Sequence, residues 1–152
     1  MPAMRTIIAT GVFLLAAAVA APDARTTQAA DETAAITATA LDYIEGFYNG
    51  DPVRMERALH PDLAKRIVNV NRTTGKGTLS NMGATQLVDI TRSRQGKPVP
   101  ADKQQKDVTV LDVFGNAATV KVVANDWIDY LHVSKIEGRW VIVNVLWEMK
   151  PR

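Results

Sequence analysis

The sequence lacks several of the parts on which common mechanisms depend. It contains no cysteine, which excludes thiol catalysis, thiolate metal sites and disulfide bonds. Its two histidines, His60 and His132, are not spaced with other donors as metal sites require. No glycine-rich phosphate loop follows a strand, and no serine lies in a nucleophile elbow. We therefore expect no metal and no cofactor, and most covalent and nucleotide-dependent mechanisms have no visible parts.

The sequence also lacks a large excess of either positively or negatively charged residues. The 152 residues include 18 lysines and arginines against 16 aspartates and glutamates. No run of basic residues is long enough to follow a phosphate backbone. This balance argues against nucleic acid as a partner.

The N-terminus carries the features of a cleaved export signal. Arg5 precedes an uncharged run, Thr6–Ala18, which is shorter than the ~20 residues that span a bilayer. Ala18-Val19-Ala20 then supplies the small side chains that signal peptidase accepts. We predict a signal peptide over residues 1–20, cleavage near Ala20, no stable membrane anchor afterwards, and a periplasmic or secreted product. The alternative is an uncleaved N-terminal membrane helix.

The first half of the remaining chain has helical periodicity. Apolar residues recur at helical spacing up to Tyr48, and Asn49-Gly50 ends this helix because both residues tolerate left-handed backbone angles. Asp51 is placed to cap the next helix, and Pro52 to occupy its first position. The predicted elements are a disordered lead-in over 21–30, helices from Asp31 or Thr33 to about Tyr48 and over Pro52–Leu59, a helical turn leading into a strand over Leu63–Val70, a loop over Asn71–Asn81, a helix over Gly83–Arg92 and a loop over Gln95–Asp102.

The second half is typical of a β-meander. Four runs of β-branched and aromatic residues are separated by turn pairs such as Gly115-Asn116 and Glu137-Gly138. The predicted strands are Val108–Phe114, Ala117–Ala124, Trp127–Ile136 and Arg139–Met149. Helices followed by an antiparallel sheet predict a single α+β domain over residues 31–150, with the helices on one face of a curved sheet.

The last predicted strand is apolar on both faces. Strict alternation places Trp140, Ile142 and Leu146 on one face, and Val141, Val143, Val145 and Trp147 on the other. A strand that is apolar on both faces is covered on both sides. Helices can cover one face, and a second copy of the sheet would cover the other. We therefore predict a homodimer through the sheet face, with His132 outside the pocket.

The order of these parts resembles the nuclear transport factor 2-like superfamily, a cone-shaped α+β fold that it shares with polyketide cyclases and ketosteroid isomerase. Two segments, Tyr43–Arg66 and Val108–Trp147, are similar to the bacterial "putative lumazine-binding" group within it. Met82-Gly83 and Gly138-Arg139-Trp140 also fit this pattern. The resemblance implies a pocket between helices and sheet that takes a small apolar or aromatic ligand.

Candidate ligand-binding residues follow from the face that contains Asp129. This carboxyl alternates with Trp127 and Leu131, so an interior face would bury it, and we expect it to stay protonated and donate a hydrogen bond. Resemblance to ketosteroid isomerase, which uses a protonated Asp with a Tyr as its oxyanion hole, implies Tyr43 as its companion. The alternative is that the two side chains bond each other or the backbone. The predicted ligand-binding set is Tyr43, Phe47, Asp129, Leu131 and Trp147.

A general base has no clear counterpart in the sequence. The position implied by the resemblance falls at Arg66 or Ile67, neither of which abstracts protons at neutral pH. We expect Lys65-Arg66 to be solvated, although Arg66 could instead face an anionic ligand. Catalytic residues therefore stay unknown. To provide a general base, one of three carboxylates, Asp42, Asp126 or Glu148, would have to point into the pocket.

The sequence favours an exported, non-catalytic small-molecule-binding domain with an apolar pocket. An enzyme of the isomerase, dehydratase or cyclase class acting on a carbonyl compound without a cofactor is the first alternative. A structural or accessory protein-interaction module is the second.

Overall fold

The computed structural model describes residues 24–151, and the predicted signal segment over residues 1–20 lies outside them. Within these residues the chain forms three helices and six strands. Their bounds are α1 Ala24–Asn49, α2 Pro52–Ala58, β1 Leu59–Val70, β2 Gly77–Met82, α3 Ala84–Arg92, β3 Lys106–Phe114, β4 Ala117–Ala124, β5 Trp127–Ile136 and β6 Arg139–Met149, with a short 3₁₀ turn at Ala101–Lys103. None of the described helices is both long and apolar enough to cross a membrane.

The strands form one curved sheet in the order β2-β1-β6-β5-β4-β3. All neighbouring pairs are antiparallel except β1 and β6, which are parallel. α1 packs across β3, β4 and β6, while α3 packs against α2 and β1. The core therefore lies between the helices and one face of the sheet, as expected for an α+β fold.

The junction between α1 and α2 is built as the sequence predicts. Gly50 adopts φ +64°, and a Cβ there would lie 2.6 Å from the backbone carbonyl of Arg94, so only glycine fits. The side chain of Asp51 caps α2 by accepting from the backbone N–H of Arg54 at 3.0 Å, and Pro52 follows at the start of the helix. The turn fixes the angle between the two helices.

Helix α1 begins earlier than predicted. Its first residue is Ala24 rather than Asp31 or Thr33, so residues 24–30 of the expected disordered lead-in are helical. This stretch contains neither glycine nor proline, and its alanines favour helix, so nothing stops the helix from extending toward the N-terminus.

Two strands replace elements that were predicted otherwise. Leu63–Val70 is wholly extended and belongs to β1, and the second half of the expected loop Asn71–Asn81 forms β2. These strands pair with each other at one edge of the sheet. Every residue of β2 except Met82 is exposed, so it lacks the alternating apolar pattern that marks a half-buried strand.

A β-bulge in β6 changes which side chains point inward. His132 pairs with Asn144 but Val133 pairs with Ile142, which leaves Val143 as an extra residue. Because one additional residue reverses the alternation, Trp140 and Ile142 share the interior face with Val145 and Trp147. The prediction that Leu146 lies with Trp140 is wrong, since Leu146 is 54% exposed on the outer face.

Candidate functional site

A cavity of about 280 Å³ opens between the helices and the β5–β6 end of the sheet. Its walls are almost entirely apolar, and charged groups come from only two of the lining residues, Lys65 and Asp126. The lining residues are Tyr43, Phe47, Lys65, Met82, Leu87, Ile90, Asp126, Trp127, Trp147 and Met149.

Helix α1 supplies one wall of this cavity. Tyr43 and Phe47 lie one turn apart and therefore share a face. The Phe47 ring meets Trp127 edge to face, with centroids 5.4 Å apart. The guanidinium of Arg94 covers Phe47 at 4.5 Å from the ring centroid and donates from Nε to its backbone carbonyl at 3.1 Å. Contacts on two sides thus fix the orientation of Phe47.

Strand β1 brings a lysine to the base of the cavity. Leu63 and Lys65 are both buried, whereas the intervening residue is half-exposed, so the strand alternates and directs Lys65 inward. The side chain of Lys65 is 7% exposed. Its Nζ lies 4.7 Å from the centroid of the Trp147 ring, a cation–π distance.

Strands β5 and β6 supply the opposite side. Trp127 and Asp129 are two residues apart on β5 and point to the same interior face. Asp129 stands directly across from Trp147 in the antiparallel ladder. Asp129 is fully buried beneath the aromatic lining.

A closed network of hydrogen bonds joins these side chains. Lys65 Nζ donates to Asp129 Oδ1 at 2.6 Å and to the hydroxyl of Tyr43 at 2.8 Å. The Tyr43 hydroxyl donates to Asp129 Oδ2 at 3.1 Å, and Trp127 Nε1 donates to the same oxygen at 2.6 Å. Every buried side-chain nitrogen and oxygen in the described part of the chain has a hydrogen-bond partner. The buried ion pair between Lys65 and Asp129 thus has both a short direct contact and additional hydrogen bonds, which offset the cost of removing the two charges from water.

Burial shifts the pKa of two residues in the network, Lys65 and Tyr43. It lowers the pKa of Lys65 below the usual 10.5, although the neighbouring carboxylate of Asp129 opposes the shift. Burial, followed by the charge of Asp129, holds the pKa of Tyr43 well above its usual 10.0. Tyr43 is therefore a neutral hydrogen-bond donor at physiological pH.

The five sequence-predicted residues fall into three groups. Tyr43, Phe47 and Trp147 line the cavity. Asp129 lies beneath them in the hydrogen-bond network. Leu131 is fully buried in the core and is not among the lining residues.

Two expectations about charged groups need correction. Lys65 is buried rather than solvated, because β1 is a strand and not the predicted helical turn. Asp129 does not donate a hydrogen bond as a protonated acid would. Two of its partners, Lys65 Nζ and Trp127 Nε1, can only donate, and they contact different carboxyl oxygens. This environment is complementary to an ionised carboxylate.

Arg66 and the three candidate bases are placed as follows. Arg66 donates to Asn144 Oδ1 at 3.1 Å and does not line the cavity. Asp42 is held by Arg54 and Arg57 at 2.7 Å each, and Glu148 is exposed away from the cavity. Of the three bases only Asp126 lines the cavity, as an exposed residue. Among the described residues, no three carboxylate or imidazole groups are close enough to hold a metal.

The functional side chains that sequence reasoning missed are mainly Lys65 and Trp127. A strand reading of the segment around Lys65 would have found it, because Leu63 and Lys65 are two residues apart. Trp127 shares the predicted face of Asp129, and only its bond to that carboxylate reveals its role. Met82, Leu87, Ile90 and Met149 become neighbours only through the tertiary fold.

Comparisons with known proteins agree with this architecture. No curated protein sequence matches the chain significantly. A nuclear transport factor 2-like protein of unknown function from Shewanella baltica OS155 is 21% identical, with TM-score 0.63 over 81% of this chain and 97% of that chain. A ketosteroid isomerase-like protein from Erwinia carotovora atroseptica SCRI1043 is 15% identical, with TM-score 0.52 over 80% of this chain and 98% of that chain.

A "Putative Scytalone Dehydratase" from Novosphingobium aromaticivorans DSM 12444 is 15% identical, with TM-score 0.56 over 83% of this chain and 89% of that chain. At such identities, these structures establish a shared fold alone. The family model described as "Putative lumazine-binding" matches residues 31–148. The chain therefore belongs to the "putative lumazine-binding" family, and it shares the fold of nuclear transport factor 2-like proteins.

Proposed function

We propose that this protein is an exported, non-catalytic domain that binds a flat aromatic molecule with a hydrogen-bond acceptor at one end. The family and the fold support the coarser statement, a small-molecule-binding domain. The proposal of a flat aromatic ligand with an acceptor rests on one observation, the apolar cavity with the Lys65 ammonium at its base. Such a site combines apolar walls with a few placed polar groups, as ligand pockets generally do.

The shape of the ligand follows from the walls. Phe47, Trp127 and Trp147 offer ring faces and edges on which a planar ring system can stack. The Tyr43 hydroxyl and Asp129 accept two of the three N–H bonds of Lys65 at the cavity base, and the third can direct one carbonyl or anionic oxygen of the ligand. Lumazines, pterins and flavins share these features, and steroids are polycyclic but largely saturated; these four classes are the first compounds to test.

The absence of catalysis is proposed because two of the carboxylates, Asp129 and Asp42, already bind protein donors. Asp129 already accepts from three donors, so its oxygens are engaged by the protein. Asp42 is neutralised by two arginines outside the cavity. Neither carboxylate is placed to abstract a proton from a bound molecule.

Export is proposed from the sequence alone. Arg5, the uncharged run Thr6–Ala18 and Ala18-Val19-Ala20 form the pattern that signal peptidase recognises. A chain without cysteine is also compatible with an oxidising compartment. The product would be periplasmic or secreted after cleavage near Ala20.

A homodimer through the outer sheet face is part of the same proposal. Apolar side chains from four adjacent strands are exposed together on this face: Val68, Val70, Leu79, Tyr130 and Leu146. Exposed apolar patches of this kind mark interaction surfaces. A second copy of the same face would cover them by two-fold symmetry.

The test measures ligand affinity by isothermal titration calorimetry with lumazine, pterin, flavin and steroid ligands. We expect at least one to bind the native protein, and Trp147→Leu to weaken it roughly fivefold, because aromatic stacking contributes about 1 kcal/mol. Tyr130→Leu is the matched control, since it removes an aromatic side chain from the outer face of the adjacent strand. Failure of all four ligand classes to bind would contradict the proposal.

A second candidate is an enzyme that moves a proton next to a carbonyl. The observation that favours it is Asp126, a carboxylate lining the cavity that could act as base. Exchange of ligand α-protons with deuterated solvent, followed by NMR, distinguishes the two functions. Exchange that depends on the protein and is lost in Asp126→Asn would favour the enzyme, whereas binding without exchange would favour the binding protein.

A further inference from the structure

Lys65 differs from most lysines in a protein because it is buried and its ammonium lines a cavity. It lines the cavity, its side chain is 7% exposed, and its surroundings are apolar apart from its two hydrogen-bond partners. An ammonium has three N–H bonds, and protein oxygens in the described residues accept two of them. The ring of Trp147 lies on a further side of Nζ, at 4.7 Å from its centroid. The nitrogen is therefore within reach of a molecule in the cavity.

Two groups beside Nζ are able to move protons. Asp129 Oδ1 lies at 2.6 Å and can accept one of the ammonium protons. The Tyr43 hydroxyl lies at 2.8 Å from Nζ and at 3.1 Å from Asp129 Oδ2, so it connects the nitrogen with the other carboxyl oxygen. Desolvation favours the free, nucleophilic amine of a lysine, and an adjacent base provides an acceptor for its proton.

We propose that Lys65 captures aromatic aldehydes in the cavity as a protonated Schiff base, with Asp129 and Tyr43 transferring the protons. This inference rests on the proposed function, because it names the ligand class that the same cavity takes. Burial, which lowers the pKa of Lys65, supplies the free amine at a pH closer to neutrality than for an exposed lysine.

The reaction balances without any oxidant or reductant. The Lys65 ammonium passes one proton to the Asp129 carboxylate, and the freed lone pair forms a bond to the carbonyl carbon while the π electrons move to oxygen. The nitrogen then passes a second proton through the Tyr43 hydroxyl to this oxygen, which gives a carbinolamine. Asp129 returns its proton to the hydroxyl group, the C–O bond breaks, and water leaves. An ammonium and an aldehyde thus become an iminium and water, and Asp129 is again a carboxylate beside the cation.

The test traps the iminium by reduction. The native protein is incubated with β-naphthaldehyde and sodium cyanoborohydride, which reduces the C=N bond to a stable secondary amine. Peptide mapping by mass spectrometry then locates the adduct. We expect Lys65 to be modified at least about tenfold faster than Lys76, an exposed lysine in the β1–β2 turn, because the cavity holds the bound aldehyde next to Nζ. Modification of exposed lysines with Lys65 untouched would overturn the proposal.

Variants separate the covalent step from binding. Lys65→Met should abolish the fast adduct, and Lys76→Met should leave it unchanged. Where Lys65→Met alone does not fold, the pair Lys65→Met with Asp129→Leu removes the whole ion pair and gives the same readout. Calorimetry with β-naphthylmethanol, which has the same rings but no carbonyl, reports binding alone. Binding of this alcohol without any adduct from the aldehyde would refute the Schiff base and leave the proposed function standing. Absence of both would contradict both.

Discussion

At the residue scale, the decisive feature is the buried ion pair between Lys65 and Asp129. Lys65 and Asp129 are 6% and 0% exposed, and each is bonded to Tyr43 as well as to the other. Removing one partner from such a pair leaves an uncompensated charge, whereas replacing both with apolar groups is often tolerated. The two residues should therefore behave as one unit in unfolding experiments.

A double-mutant cycle tests this coupling. We expect Asp129→Leu alone to lower the free energy of unfolding by about 3–5 kcal/mol, because Lys65 stays buried without its counter-ion. The double variant Lys65→Met with Asp129→Leu should be more stable than the single Asp129→Leu variant. Urea unfolding followed by circular dichroism measures both values. Strictly additive effects of the two substitutions would show that the pair is not coupled.

At the element scale, ion pairs join α1 to α2. Asp42 on α1 is contacted by Arg54 at 2.7 Å and by Arg57 at 2.7 Å, both on α2. Glu45, one turn further along α1, bonds Arg54 and also Lys106 on β3. The hydrogen bond from Arg57 is the main reason that the pKa of Asp42 lies below its usual 3.8. These contacts orient the helix that carries Tyr43.

The lowered pKa of Asp42 predicts an acid-dependent loss of stability. A carboxyl with a lower pKa in the folded state stabilises the fold above its unfolded value, here about 3.8, and loses this contribution as pH falls below it. Asp42→Asn should lower stability at neutral pH and flatten the decline of stability below pH 3.8. Chemical unfolding at a series of pH values measures both effects. Asp102→Asn, an exposed carboxylate on the 3₁₀ turn, is the control, and an unchanged acid decline in Asp42→Asn would contradict the prediction.

The elements also show what a sequence pattern can and cannot predict. β4, β5 and β6 have the bounds that were predicted, because β-branched runs and turn pairs mark them locally. The extra residue Val143 leaves no such mark, since Val141–Val143 is an uninterrupted apolar run and the bulge exists only through pairing with β5. Lys65 was missed for a related reason, because β1 is a strand by virtue of its pairing with β2 and β6.

At the scale of the whole molecule, the described helices cover one face of the sheet and not the other. Val68, Tyr130 and Leu146 are 52%, 44% and 54% exposed there, and Asn144 joins Arg66 to His132 between them. This mixture of apolar and polar groups is typical of a subunit interface. The proposed homodimer follows from it, although the doubly apolar last strand that first indicated a dimer is explained by the bulge.

A single charge on this face should prevent association. We expect the native protein to sediment as a dimer in analytical ultracentrifugation, and Leu146→Arg to sediment as a monomer, because an arginine at the centre of the interface would be desolvated next to its symmetry mate. Val53→Arg is the matched control, since Val53 is 70% exposed on α2 in the helical layer. A monomeric native protein at all concentrations would exclude the dimer.

The positions of the tryptophans have a practical consequence. All three tryptophans of the sequence lie in the described residues. Trp127 and Trp147 line the cavity, while Trp140 bonds Glu32 at 2.6 Å and is not among the lining residues. One indole donates to a buried carboxylate and another lies beneath an ammonium, so a ligand that enters the cavity disturbs the electronic surroundings of both. With Trp140 replaced by phenylalanine, the tryptophan emission of the protein would come from the cavity alone, and the chain would carry its own optical probe of occupancy.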